Sequence, residues 1–197
     1  MVRTEGKKPT QTLWIFCEGR TEKLYFDKLK FIERISRLKI KSFESGHKNA
    51  DGITQEALDF IRLRDFQEGD IVACVFDRDS NTNEQLRNAK SIAENGHVFI
   101  SFSNPCFEYW ILCHYGYFPS SYEKDNLIAK LNECMGNYEK ADSELYSKTK
   151  NEIHVAISNA ERIKNEHFNR GNNLISKDSN PITLVFELIK TINNFKG

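Results

Sequence analysis

A chain of 197 residues is long enough for one well-buried core and cramped for two full domains. Its 39% hydrophobic and 28% charged residues are ordinary for a globular protein, and 28 basic against 28 acidic residues exclude a bulk charge suited to coating nucleic acid. No apolar run reaches membrane-spanning length, the polar start has no secretory pattern, and five cysteines without C-x-x-C spacing point to a reduced, cytoplasmic protein.

Residues 1–12 read as a flexible N-terminal arm. Leu13-Trp14-Ile15-Phe16-Cys17 is a continuously apolar strand, and it ends at an acid in Glu18-Gly19-Arg20-Thr21-Glu22. Gly19 permits a tight turn or a close approach to a ligand. Thr21 can cap the following helix, whose apolar spacing runs through Leu24, Tyr25, Leu29, Ile32 and Ile35. Glu22 falls in its first turn. There it is either a partner of the helix dipole, the simpler reading, or a reacting group. A short alternating strand over 38–43 leads to a polar loop holding His47 and Lys48, and the spacing predicts a helix over 53–66.

The run Ile71-Val72-Ala73-Cys74-Val75-Phe76 predicts a strand buried on both faces, ending in Asp77-Arg78-Asp79. In an extended backbone positions i and i+2 point the same way, so Asp77 and Asp79 aim at one point. Open α/β sheets bind ligands just outside the carboxyl ends of their strands, and paired hard oxygen donors there suit Mg²⁺ or Mn²⁺. A solvated turn is the alternative, since Asp and the following Ser80 are ordinary turn formers. A helix over 83–95 is expected to stop at Gly96, followed by a fourth strand over 97–102. This strand–helix alternation predicts an α/β fold with a mostly parallel sheet flanked by helices, joined by right-handed crossovers. Glu18 and the Asp77/Asp79 pair then emerge on one edge of that sheet.

Ser103 or Asn104 can cap the next helix, with Pro105 at its first position and Glu108 completing a capping box. Phe107, Trp110, Ile111 and His114 form a stripe that belongs in the core. After Pro119 the pattern reads as helices only: 125–135, broken by Gly136-Asn137, then 142–163. A loop over 169–180 precedes a last helix opened by Asn180-Pro181-Ile182-Thr183. Lys140 stands near a helix boundary, most simply as a solvated lysine. The expected organisation is an arm (1–12), an α/β core (13–118) and a helical C-terminal extension packed on it (119–197).

Taken together these motifs resemble the RloB-like family, a branch of the Toprim-like (topoisomerase–primase) proteins. The resemblance rests on Glu18-Gly19 with Thr21-Glu22 and Tyr25-Phe26, on Phe76-Asp77-Arg78-Asp79, on Ser103 through Trp110, and on Asn180-Pro181-Ile182-Thr183. It implies a compact Toprim-like, Rossmann-like fold with Asp77, Asp79 and Glu18 at a Mg²⁺ (or Mn²⁺) site. In that role Glu18 is a ligand or a general acid/base. The resemblance also lifts Glu108 above its capping role into the catalytic set. It further implies a setting in restriction loci and abortive phage defence, often beside an encoded ATPase. Arg20 stands where the family often has Lys or Glu, and the loop around His47 is poorly matched.

Phosphodiester cleavage needs a cation to neutralise the phosphoryl oxygens and to lower the pKa of the attacking water. Arg20 and Arg78 are cations able to hold a phosphate, with Asn104, Glu22 and Lys140 as weaker substrate contacts. The reading is a metal-dependent nuclease acting on DNA or RNA, tRNA included. One alternative is a non-catalytic module that docks on an ATPase and senses a nucleotide. Another is a glycosyltransferase-like enzyme using Asp-x-Asp, which the acid at Glu18 argues against.

Overall fold

The computed structural model describes residues 10–63, 66–79 and 81–196, so most of the expected N-terminal arm and Ser80 lie outside the described residues. Four apolar stretches form parallel strands: β1 (Gln11–Cys17), β2 (Leu38–Glu44), β3 (Ile71–Asp77) and β4 (Phe99–Asn104). They alternate with helices α1 (Arg20–Glu33), α2 (Ala50–Leu63) and α3 (Asn83–Gly96). The order across the sheet is β2-β1-β3-β4, completed by a short strand β5 (Ile182–Thr183) antiparallel to β4. Right-handed crossovers place α1 on one face and α2 with α3 on the other. The helix contacts agree, since α2 lies against α3 and α1 against α6 (Leu145–Thr149).

β3 is central, and its residues from Val72 onward are buried, as a continuously apolar run requires. The α1 side is filled by aromatic rings. Tyr25 meets Phe26, Phe107 and Tyr146 edge-on at 5.2–5.5 Å, and the Trp110 indole donates to the Tyr25 hydroxyl at 2.9 Å. Each such fully buried ring contributes roughly 1.5–3 kcal/mol, and the Tyr–Trp bond leaves neither polar tip unsatisfied.

Several local expectations change. Gly19, not Thr21, precedes the first turn of α1, and no side chain caps it; Thr21 Oγ1 instead accepts from the Ala141 amide at 3.2 Å. The left-handed residue ending α3 is His97 (φ 54°), while Gly96 is the last helical residue. A Cβ on Gly96 would stand 2.7 Å from Leu58 Cδ1, so the glycine serves the close approach of α2. The capping box at Asn104 does not form. Asn104 ends β4, and its side-chain amide donates to the Ser176 carbonyl at 3.0 Å. The helix α4 (Glu108–Leu112) starts only at Glu108, with no side-chain cap.

The C-terminal part is α5 (Lys124–Met135), α6, a 3₁₀ turn (Lys150–Glu152), α7 (Ile153–Asn169) and α8 (Val185–Asn193). The single helix expected over 142–163 is therefore interrupted. Residues 182–183, expected to open the last helix, instead pair with β4. The outer edge of β4 carries backbone groups that need partners. They find them in the β5 ladder and in Leu184, whose amide donates to the Phe102 carbonyl at 2.7 Å. Among the described residues no helix is long and apolar enough to cross a membrane.

Candidate active site

Chain order reverses between β1 and β3: the strand after β1 lies on one side of it and β3 on the other. A crevice opens outside the carboxyl ends at such a point, which is where open α/β sheets bind ligands. Glu18 follows β1 and Asp77 ends β3, so both stand at this crevice. The Glu18 amide donates to the Val75 carbonyl at 2.9 Å, and the Asp77 amide donates to Glu18 Oε2 at 3.0 Å. The two strand ends are thereby tied in register.

A cavity of about 540 Å³ lies here, and its walls bring together Glu18, Glu22, Asp77, Asp79 and Glu108 with Arg20, Lys48, Lys124 and Lys140. Asp77, Glu22 and Glu108 are only 8%, 5% and 4% exposed, so they form its recessed floor. Seven of the sequence-identified residues thus share one cavity: Glu18, Arg20, Glu22, Asp77, Asp79, Glu108 and Lys140. Arg78 and Asn104 do not. They line a neighbouring cavity of about 310 Å³, with Asp79 and Lys124 on the wall common to both.

Burial, then the carboxylates of Glu22, Glu108, Glu18 and Asp79, hold the Asp77 carboxyl well above the ordinary aspartate range. Its Oδ1 is buried without a hydrogen-bond partner among the described residues. Burial also pushes Glu22 up to about 7. Its own backbone amide opposes that rise, Glu108 and Glu18 add to it, and Lys140 opposes it. Glu22 folds back over the start of α1 so closely that a Cβ on Gly19 would come 2.9 Å from its Oε2. Glu108 Oε1 accepts from the Tyr138 hydroxyl at 2.6 Å, and burial with this acid neighbour drives the Tyr138 phenol upward.

Asp77 and Asp79 line the same cavity, though they reach it from different backbone settings. β3 ends at Asp77, so the alternation of an extended strand no longer governs Asp79. The Asp79 amide donates to the Pro105 carbonyl at 3.2 Å, and its carboxylate accepts from Lys124 Nζ at the start of α5. That bond raises the Lys124 ammonium, against the lowering effect of its burial. Among the described residues no three of His, Cys, Asp and Glu are grouped as around a metal ion. The donor set still fits a hard cation: it is all oxygen, Asp77 Oδ1 lacks a partner among the described residues, and Asp79 is held by a partly exposed ion pair.

Lys48, Lys124 and Tyr138 are site residues that sequence reasoning missed. Lys48 had a signal, since its loop follows β2 on the same edge; its ammonium donates to the Glu18 carbonyl at 2.8 Å. Lys124 and Tyr138 belong to the helical part, and no spacing links them to the acids.

A comparison with curated proteins gave no match, and neither did a comparison with solved structures. A family model described as RloB-like protein matches residues 13–192, from within β1 to within α8 and across every acid of the cavity, so this chain belongs to the RloB-like family.

Proposed function

We propose that the protein is a Mg²⁺- or Mn²⁺-dependent nuclease of the Toprim type, acting in anti-phage defence. The observation that carries this reading is the buried Asp77 Oδ1, which has no hydrogen-bond partner among the described residues, in a cavity shared with four more carboxylates. Like charges so placed repel unless a cation or proton intervenes, and a buried acceptor without a donor calls for one. Asp77 and Glu18 would hold the cation, with Asp79 joining once it leaves Lys124. The bound ion supplies Lewis-acid neutralisation of phosphoryl charge and a more acidic water.

The remaining residues divide the work by chemistry. Arg20 and Lys140 line the cavity without an ion pair among the described residues, which leaves their charge for a substrate phosphate. Glu22, with its carboxyl raised to about 7, is suited to exchanging a proton near neutrality. Tyr138 holds Glu108 in one orientation beside it. A second reading, a non-catalytic module docking on an ATPase, is favoured by one feature alone, the pairing of Asp79 with Lys124.

Incubating the purified protein with labelled tRNA, single-stranded DNA and duplex DNA tests the proposal, with Mg²⁺, Mn²⁺ or EDTA in parallel. Cleavage that needs the metal and disappears in Asp77→Asn is the expected result. Absence of cleavage on all three substrates with either metal would overturn it in favour of the docking module.

A further inference from the structure

Two residues singled out by the sequence, Arg78 and Asn104, line the neighbour of the acid cavity and not the acid cavity itself. That second cavity differs in charge. It has Arg78, Lys124 and Lys177 against Asp79 and Glu123, and Asp79 is already paired with Lys124. The acid cavity holds five carboxylates against four cations. Arg78 gives one Nη1 bond to the Asn81 carbonyl, while its Nε is buried with no acceptor among the described residues. The Lys177 ammonium has no ion pair or hydrogen bond among them.

The wall that carries these cations is built. The Asn104 amide donates to the carbonyls of Ser176 and Lys177 at 3.0 and 3.3 Å, fixing the segment that presents Lys177. Asn180 clamps Tyr122 from the other side, accepting from its amide at 3.0 Å and donating to its carbonyl at 2.8 Å. Asn104 and Asn180 are thereby used up on backbone, leaving Arg78 and Lys177 as the cations of this wall without a carboxylate partner among the described residues.

We infer that the second cavity is an anion subsite for a neighbouring phosphate of the same strand, so that the substrate is an unpaired stretch of polynucleotide lying across both cavities. The inference rests on the nuclease reading and adds to it the strand state and the second contact. The floor acids are recessed, with Asp77, Glu22 and Glu108 all below a tenth exposed. A phosphate must descend between the walls to meet them. An unpaired strand can bend its backbone into such a recess, whereas a duplex holds its phosphates on a stiff outer surface. The shared wall at Asp79 and Lys124 makes the passage from one phosphate to the next continuous.

The test measures binding, with Ca²⁺ in place of Mg²⁺ as a hard cation for oxygen ligands. The full chain and Lys177→Glu are titrated with a labelled oligothymidylate, with a blunt duplex of equal length and with thymidine monophosphate. The wild type is expected to prefer the single strand over the duplex. Lys177→Glu should weaken the single strand about tenfold and reduce the salt slope by about one phosphate contact. Monophosphate binding and the melting temperature should stay level. Unchanged oligothymidylate affinity in Lys177→Glu, or equal affinity of wild type for duplex and single strand, overturns the inference. If Mg²⁺-dependent cleavage persists beside that result, the nuclease reading stands without it. Charge-dependent strand binding with no cleavage under any cation would instead keep the strand site and remove the nuclease reading.

Discussion

The Tyr138 hydroxyl donates to Glu108 Oε1 at 2.6 Å, across thirty residues of chain and between two buried side chains. Glu108 opens α4 directly after β4, and Tyr138 follows the end of α5, so the bond joins the sheet edge to the helical part. A buried carboxylate that accepts so short a hydrogen bond depends on that donor for its orientation. Tyr138→Phe should therefore cost about 1–3 kcal/mol of stability, the range for losing a hydrogen bond to a buried charged group. If Glu108 works in the reaction, kcat should fall about tenfold with KM little changed. Glu108→Gln keeps an acceptor for Tyr138; it should hold its melting temperature and lose activity. Full activity in Glu108→Gln would make the pair purely structural.

Asp77→Asn tests the cost of crowding five carboxylates. Removing the charge relieves burial and repulsion at one stroke while preserving shape. In EDTA the variant should melt about 2–4 °C above wild type, a gain of about 1 kcal/mol for a chain of this size. The stabilisation that Mg²⁺ gives the wild type should be lost. A lower melting temperature in EDTA would mean that the Asp77 carboxylate is structural.

Lys124 competes with any cation for Asp79. The pair is partly exposed, so Lys124→Ala should cost at most about 1 kcal/mol in the absence of metal. With Asp79 released, the rise in melting temperature on adding Mg²⁺ or Mn²⁺ should be larger than in wild type. An equal or smaller rise would show that Asp79 takes no part in holding the metal.

His114 gives the stability a pH dependence of known sign. Its Nδ1 faces the carbonyls of Trp110 and Ile111 at 3.0 and 3.2 Å, and its Nε2 is buried without a partner among the described residues. Burial lowers it from 6.5 to about 4, against the raising effect of those two carbonyls. The unfolded chain takes up this proton below 6.5 and the folded chain only near 4. The contribution is therefore fully present above 6.5 and is lost as pH falls to 4, by at most about 3 kcal/mol. Glu22 acts with the opposite sign: its contribution is present below 4.5 and is lost as pH rises through about 7. Denaturant melts of wild type and His114→Gln across this window separate the two. The variant should lose less stability between pH 6.5 and 4, and an unchanged slope would place the titration elsewhere.

The sequence by itself determined the parallel strands and the edge to which their acids belong. Continuous apolar runs such as 71–76 have one low-energy fate, a strand covered on both faces, and a strand end fixes where Glu18 and Asp77 emerge. Those signals are local and survive without knowledge of the rest of the chain. Tertiary structure decided the partners. β5 forms because β4 needs an edge, and Asp79 turns to Lys124 because the strand geometry stops at Asp77. Glu108 is ordered by Tyr138 and not by a cap, while Arg78 and Asn104 look into a second cavity. Each of these pairs residues far apart in the chain through burial and charge. No periodicity records such a pairing, since its energy exists only once the helical part has packed against the sheet edge.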